Sequence, residues 1–409
     1  GEFRFKSAEN SLSVSKYFAV GNDNFLTPIN PVEAANSNVH GIESGAKYII
    51  ITSKEFLEAA NRLKNYRQNE AEIPISTIVV DIQEIFNEFS GGLFDPTAMR
   101  DFLKYAYDNW TIKPEYVLFF GAGTYDYKNI EGFGGNFIPT YQTVESLALI
   151  YSYTTDDYFC RISGTDSIVD LGFGRITVHN TAEANAAVDK IIFYETQSEK
   201  GPWRNNITMV ADDEKTSTTY EGSEHTAPSE TISNTIIPQS FDFHKIYSTT
   251  YDDVITGAGR RKPDVNKAII DAINEGTLLV NYIGHGSPDV WAHEFIFEKN
   301  VTIPQLKNDK YFFLSAATCD FGYYDIPNSV SAAEEMLLMP DAGEIGAFTS
   351  SRLVYSGLNH ALSYKFFQDL LLAERDSLNL NVPLGKALFE TKQLYYGVND
   401  QKYHIFGDP

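Results

Sequence analysis

From Lys47 to Ile176 short apolar runs alternate with longer stretches in which apolar residues recur every three or four positions. The runs KYIIIT, ISTIVV, YVLFFG and LGFGRI have the length and β-branched content of buried strands. Between and after them, KEFLEAANRLKNYR, DPTAMRDFLKYAYDNW and residues 181–195 carry helical periodicity, and Asp95 followed by Pro96 supplies a cap and a first helical residue. Strand and helix in alternation predict a mostly parallel sheet covered by helices. A second series follows the polar stretch SEKGPWRNN: ITMVADD, a helix near Asp264–Asn274, apolar runs leading to His285 and to Cys319, then GAFTSS and helices near Asn359–Leu372 and Leu384–Tyr395. The pattern predicts an α/β fold of two consecutive Rossmann-like units, over residues 46–198 and 199–409. Residues 1–45 lack helical periodicity and read as an extended segment, an edge strand or two and a connector from something preceding.

Composition narrows the classes. The chain has 409 residues, 43% hydrophobic and 14% aromatic, enough to fill large cores. Its 32 Lys and Arg stand against 55 Asp and Glu, a net charge of -23 that opposes binding to nucleic acid. The longest apolar runs, such as Tyr116–Phe120 and Leu278–Ile283, are too short to span a bilayer.

The candidate chemistry sits where two apolar runs end. One leads into Gly284-His285-Gly286 and the other into Cys319. In open α/β sheets functional groups gather at the C-terminal ends of strands. A thiol beside an imidazole is a nucleophile with its base, and the imidazole later protonates the leaving amine. The glycines leave room for substrate, and the amides of Gly286 and Cys319 are candidates for an oxyanion hole. Asp212, Asp213 and Glu214 follow the run ITMV, and any of the three is placed to orient the imidazole. Taken singly, Cys319 reads as a small buried hydrophobe and His285 as a turn histidine. The only other cysteine, Cys160, lies in the other predicted unit, and a bridge between the two would silence the nucleophile. His285 with His293, Asp289 and Glu294 offers metal ligands, but the spacing is not that of a helical HExxH site, and Pro288 argues against one helix carrying both histidines. Asp156-Asp157, and Asp320 with Tyr323, Tyr324 and Asp325, bear oxygen ligands suited to structural calcium, without EF-hand spacing; solvated turns are the simpler reading.

YIGHGSPDVW followed by FLSAATCDFG resembles the histidine and cysteine blocks of the gingipain-type cysteine peptidases, which belong to the caspase clan. DLGFGRITVHNTAEANAAVDKIIFYE, MVADDE and HIFGDP extend the resemblance over nearly all of the chain from Lys47. Within that family, the Asn-Val-His-Gly stretch before KYIIITSKEF, VADDE, TSSRLVYSGLN and NDQKYHIFGDP are most similar to the surface-protein sortases of the type IX secretion system. The resemblance implies a caspase/gingipain-like fold, Cys319 as nucleophile, His285 as base and Glu214 as the acidic third member, or Asp213 if the matching shifts by one residue. It further implies protein substrates, the C-terminal signal domains of secreted cargo, cleaved through an acyl-enzyme that water resolves or that passes to a lipopolysaccharide acceptor. The setting it implies is the cell surface, with other outer-membrane components as partners and no required cofactor. One departure stands out. Where arginine-specific gingipains carry the acid that reads the substrate guanidinium, this chain has His225 beside Glu224, and their pocket-wall tryptophan falls near Tyr355 or Ser356. Losing that acid removes the main source of arginine selectivity. Trp291, in the histidine block, is placed with these residues as a substrate contact. A general secreted endopeptidase and a catalytically silent scaffold module are the other readings.

Overall fold

Residues 36–213, 215–216, 219–257, 259–372 and 382–409 are described by the structure, a computed structural model. The chain divides into units Gly1–Ser37 and Asn38–Pro409, and the named strands and helices all belong to the second. Of the extended segment expected over residues 1–45, residues 1–35 lie outside the described residues.

Fourteen strands are formed among the described residues. They are β1 (Tyr48–Thr52), β2 (Thr77–Asp81), β3 (Tyr116–Phe120), β4 (Gly172–Ile176), β5 (Asn206–Ala211), β6 (Asp242–Tyr247), β7 (Val254–Thr256), β8 (Gly259–Arg261), β9 (Leu279–Ile283), β10 (Val290–Trp291), β11 (Phe297–Glu298), β12 (Phe312–Ala317), β13 (Glu344–Ser350) and β14 (Tyr403–Phe406). Ten of them make one sheet in the order β2-β1-β3-β4-β14-β13-β12-β9-β5-β6. Every pairing in it is parallel except β13 with β14. The other four form two small antiparallel pairs, β7 with β8 and β10 with β11.

The strands are apolar throughout because both faces are covered. In β1, Tyr48 and Ile50 point to one core and Ile49 and Ile51 to the other. The same alternation recurs in β3, with Leu118 and Phe120 against Val117 and Phe119. Helices Leu57–Asn69, Thr181–Thr196, Pro263–Glu275 and Ala332–Leu338 supply the first core. Helices Ile82–Phe89, Thr97–Asn109, Ser356–Leu371 and Leu384–Lys392 supply the second. The start signal at Asp95 acts through its side chain, whose Oδ1 accepts from the Thr97 amide at 2.9 Å. No helix of the described residues is long and apolar enough to cross a membrane.

β14 ties together the two series of elements predicted from the sequence. It lies between β4 of the first and β13 of the second, and Gly407 N donates to Arg175 O at 2.8 Å. Buried ion pairs brace the loops around this junction. Arg175, fully buried, grips Asp156 through Nε at 2.7 Å and Nη2 at 2.8 Å, and Arg352 holds Asp325 through two bonds of 2.7 Å. Lys392 pairs with Asp157 in the same interior. The aspartates at 156, 157 and 325, read as solvated turns, are therefore buried and matched by internal cations. A carboxylate cannot be left alone at that depth.

Candidate active site

Strand register delivers the two reactive side chains to one place. Ile283 of β9 pairs with Ala317 of β12 and also with Ala211 of β5. His285 and Cys319 thus lie two residues beyond paired positions of adjacent strands, which run about 4.8 Å apart. Asp212 lies one residue beyond β5, on the other side of β9, and its amide donates to Ile283 O at 3.0 Å.

The flanking glycines are explained by close approach. A Cβ on Gly284 would fall 2.4 Å from Asp212 Cβ and 2.4 Å from the Tyr282 hydroxyl. A Cβ on Gly286 would fall 2.4 Å from Thr318 Oγ1 and 3.3 Å from Cys319 O. Larger residues would push the carboxylate strand and the cysteine loop away from the histidine. The Tyr282 hydroxyl fixes this turn by donating to His285 O at 2.6 Å.

Asp212 holds the histidine from behind. Its Oδ2 lies 3.1 Å from His285 Nδ1 and accepts the His285 amide at 3.1 Å, while Oδ1 accepts the Asp213 amide at 2.7 Å. The hydrogen bond to Asp212, foremost, raises the imidazole above its ordinary pKa, against the opposing effect of burial. Nε2 faces forward, 3.5 Å from Glu221 Oε1. Cys319 Sγ rests against the backbone of Val354, accepting its amide at 3.5 Å and lying 3.6 Å from its carbonyl. Burial pushes the thiol pKa up, with the Val354 amide in opposition and Asp320 adding to the rise. The resting sulfur is therefore a thiol that requires a base, not a ready thiolate. Both cysteines are free, and Cys160 is buried in the second core.

Gly286 pairs with Trp291 in a narrow antiparallel bridge whose bonds run from Ala292 N to His285 O at 2.9 Å and from Ser287 N to Val290 O at 3.0 Å. In such a non-hydrogen-bonded pair the residue's own amide points away from its partner. That leaves the Gly286 amide available to an oxyanion.

Several sequence expectations land elsewhere. Asp213 does not face His285; it is bound by Arg260, which also grips Glu294, and Lys262 Nζ stands 3.9 Å away. Successive residues after a strand point to opposite sides, so one step exchanges an orienting group for a structural ion pair. Glu214 lies outside the described residues. Trp291, placed among the substrate contacts, is only 1% exposed and stacks on Tyr282 with ring centroids 4.2 Å apart. It is a core residue supporting the histidine turn. His225 is buried beside His285, its ring edge-on with centroids 5.0 Å apart, and burial lowers its pKa. Glu224 accepts from Ser356 Oγ at 2.7 Å, joining the loop before the Thr226–Thr231 helix to the start of the Ser356–Leu371 helix. Tyr355, 57% exposed, stands next to Val354 at the rim beside the thiol. His293 lies close to the His285 ring, with centroids 4.9 Å apart, and Glu294, pushed up to about 7 mainly by burial and then by Asp212 and Asp213, faces Arg260.

Glu221 was not anticipated. It reaches both histidines, 3.5 Å from His285 Nε2 and 3.4 Å from His225 Nε2. It lies on the loop before the Thr226–Thr231 helix, where no periodic pattern in the sequence marks it.

A mixed, mostly parallel sheet brings a thiol, an imidazole and a carboxylate to neighbouring strand ends, the groups that thiol-based acyl transfer uses. The family model for Peptidase family C25 matches residues 42–409, and the chain belongs to that family. Gingipain R2 of Porphyromonas gingivalis is 27% identical over 138 residues, covering 34% of this chain and 17% of that relative. The matched segment is thus a small part of the curated relative's length. The crystal structure of the Arg specific cysteine proteinase gingipain R (RgpB) superposes with a TM-score of 0.66 at 19% identity, over 91% of this chain and 79% of that one. The complex of the pro- and mature domains of RgpB from Porphyromonas gingivalis gives 0.67 at 19% identity, over 89% and 78%.

Proposed function

We propose that this chain is a cysteine endopeptidase in which Cys319 is the nucleophile, His285 the proton carrier and Asp212 the group that orients and charges the imidazole. The observation that carries the reading is the shared register of β9 and β12 with Asp212 bonded to His285 Nδ1. In the first step Sγ bonds to the scissile carbonyl carbon while its proton passes to His285 Nε2. The amides of Gly286 and Cys319 hold the oxyanion. The C–N bond then breaks, the amine leaves with the proton from His285, and a thioester remains. Water or an acceptor amine attacks the thioester, gives its proton to His285, and the sulfur departs and is reprotonated.

The finer reading is a sortase that removes C-terminal signal domains from secreted cargo at the cell surface, with hydrolysis or transfer of the cargo to a lipopolysaccharide anchor. The sequence blocks VADDE, TSSRLVYSGLN and NDQKYHIFGDP support it. The absence of an acid at the expected arginine-reading position agrees with it, since His225 is buried against the base instead. The test incubates the chain, or Cys319→Ala, with a cargo protein bearing its signal domain and an amine acceptor. Mass spectrometry of the product separates free acid from amide-linked cargo. Loss of processing in the variant, with its circular dichroism unchanged, is the expected outcome; unchanged processing rejects the nucleophile, and free acid alone rejects transfer.

A further inference from the structure

The pocket around His285 holds more donor atoms than proton transfer uses. His225 is 4% exposed, and neither of its ring nitrogens makes a hydrogen bond. A buried imidazole whose nearest acceptor, Glu221 Oε2, stands 3.4 Å off without a hydrogen bond is costly, which calls for a group it can bind. Donor atoms of Asp212, His225 and His285 all lie within 4.8 Å of one another. Glu221 closes the remaining side, 3.4 Å from His225 Nε2 and 3.5 Å from His285 Nε2, and its Oε2 is itself buried without a hydrogen bond.

We propose that His225 and His285, through Nε2, together with the Glu221 carboxylate bind a Zn²⁺-type divalent cation, that Asp212 orients His285 from its far nitrogen, and that the bound ion holds the peptidase off by engaging the imidazole. Two imidazoles among the donors select a borderline metal over Ca²⁺ or Mg²⁺, which favour all-oxygen shells. Tetrahedral ligands at about 2.1 Å from zinc stand roughly 3.4 Å from each other. The Glu221 contacts, 3.4 Å to His225 Nε2 and 3.5 Å to His285 Nε2, match that spacing, while Asp212, 3.1 Å from the opposite nitrogen of His285, stands behind that ligand as an outer-shell carboxylate. Cys319 is not among the clustered donors, so the site is distinct from a metal bridging thiol and imidazole. The inhibitory half rests on the peptidase reading, whereas the binding half does not.

The test strips the chain with a chelator, then titrates Zn²⁺ against a chromophoric chelator and records the absorption of the Co²⁺-substituted protein. Expected are one equivalent bound, no thiolate-to-metal band, and affinity unchanged in Cys319→Ala. His225→Gln and the less buried Glu221→Gln should each weaken binding at least tenfold, since even outer-shell partners command about 10–100-fold. Far-UV circular dichroism confirms that the variants fold. Cargo cleavage by the metal-free protein should fall in step with zinc occupancy and return with chelator. No zinc bound by the parent protein, parent-like affinity in both variants, or loss of binding in Cys319→Ala with a thiolate band would each overturn the site. Binding with the expected ligand pattern in a metal-free chain that cleaves nothing upholds the site but overturns the peptidase reading and the inhibition that depends on it.

Discussion

Replacing Asp212 with Asn keeps the shape behind His285 and removes its charge. In the proposed acyl transfer the imidazole becomes a cation, and Asp212 Oδ2 lies 3.1 Å from its Nδ1. At an effective dielectric of about 20, Coulomb's law gives ~5 kcal/mol for unit charges at that distance. The His285 side chain is 35% exposed, so solvent screening reduces this to about 2–3 kcal/mol. With tenfold in rate for each 1.36 kcal/mol, kcat should fall by about 30–150-fold. Asp213→Asn is the matched control. Asp213 serves Arg260 and not the histidine, so that variant should lower the urea midpoint while sparing kcat. The assay is turnover of a cargo-derived fluorogenic peptide at saturation, with active enzyme counted by a thiol-directed inhibitor. A loss smaller than about threefold in Asp212→Asn, or a larger loss in Asp213→Asn, refutes the assignment.

Two further perturbations address the turn and the tyrosines. Gly286→Ala places a methyl 2.4 Å from Thr318 Oγ1; the overpacking should cost about 1–3 kcal/mol in a urea melt. Displacing one oxyanion donor should lower kcat by about 10²–10³ with KM little changed, and near-parental kcat would remove Gly286 from the oxyanion hole. Tyr116, Tyr127 and Tyr153 are each pushed up to about 12, mainly by burial. Because the folded values exceed the unfolded value near 10, their stabilisation is complete below pH about 10 and is lost as pH rises through about 12. Phenolate absorbance should show these rings ionising together with the loss of far-UV circular dichroism. Ionisation of all 25 tyrosines near 10 in a still-folded protein would contradict that burial.

The sequence made the alternating strands legible because both faces of most of them are buried, leaving continuous apolar runs such as YIIIT and YVLFF. β6 escaped because it is an edge strand, and its DFHKIY pattern keeps the charges that face solvent. Helix Ile82–Phe89 escaped because Asp81 both ends β2 and caps the helix, leaving no polar gap. β14 hid behind Lys402 and His404, polar residues made tolerable in the interior by bonds such as Lys402 Nζ to Leu353 O at 2.6 Å. The cysteine and histidine were legible as the ends of apolar runs. The carboxylate was not, since three acids follow β5; of the two that are described, Asp212 reaches His285 because Gly284 leaves it room. Glu221 lies on a loop, where no periodicity reports direction.

The placement of β14 sets an order of events during synthesis. Until residue 406 has emerged, β4 and β13 have no strand between them, and both edges stay open to wrong partners. The same segment completes the surroundings of the nucleophile: Lys402 O accepts the Ser351 amide at 2.8 Å, and Lys402 Nζ holds Leu353 beside the Val354 backbone that cradles Cys319. A nascent chain therefore carries its thiol and imidazole for more than 80 residues of translation before the cradle closes, since Cys319 precedes Tyr403 by that much. Until β14 is in place, the surroundings of Cys319 stay unfinished while the preceding polypeptide is still folding.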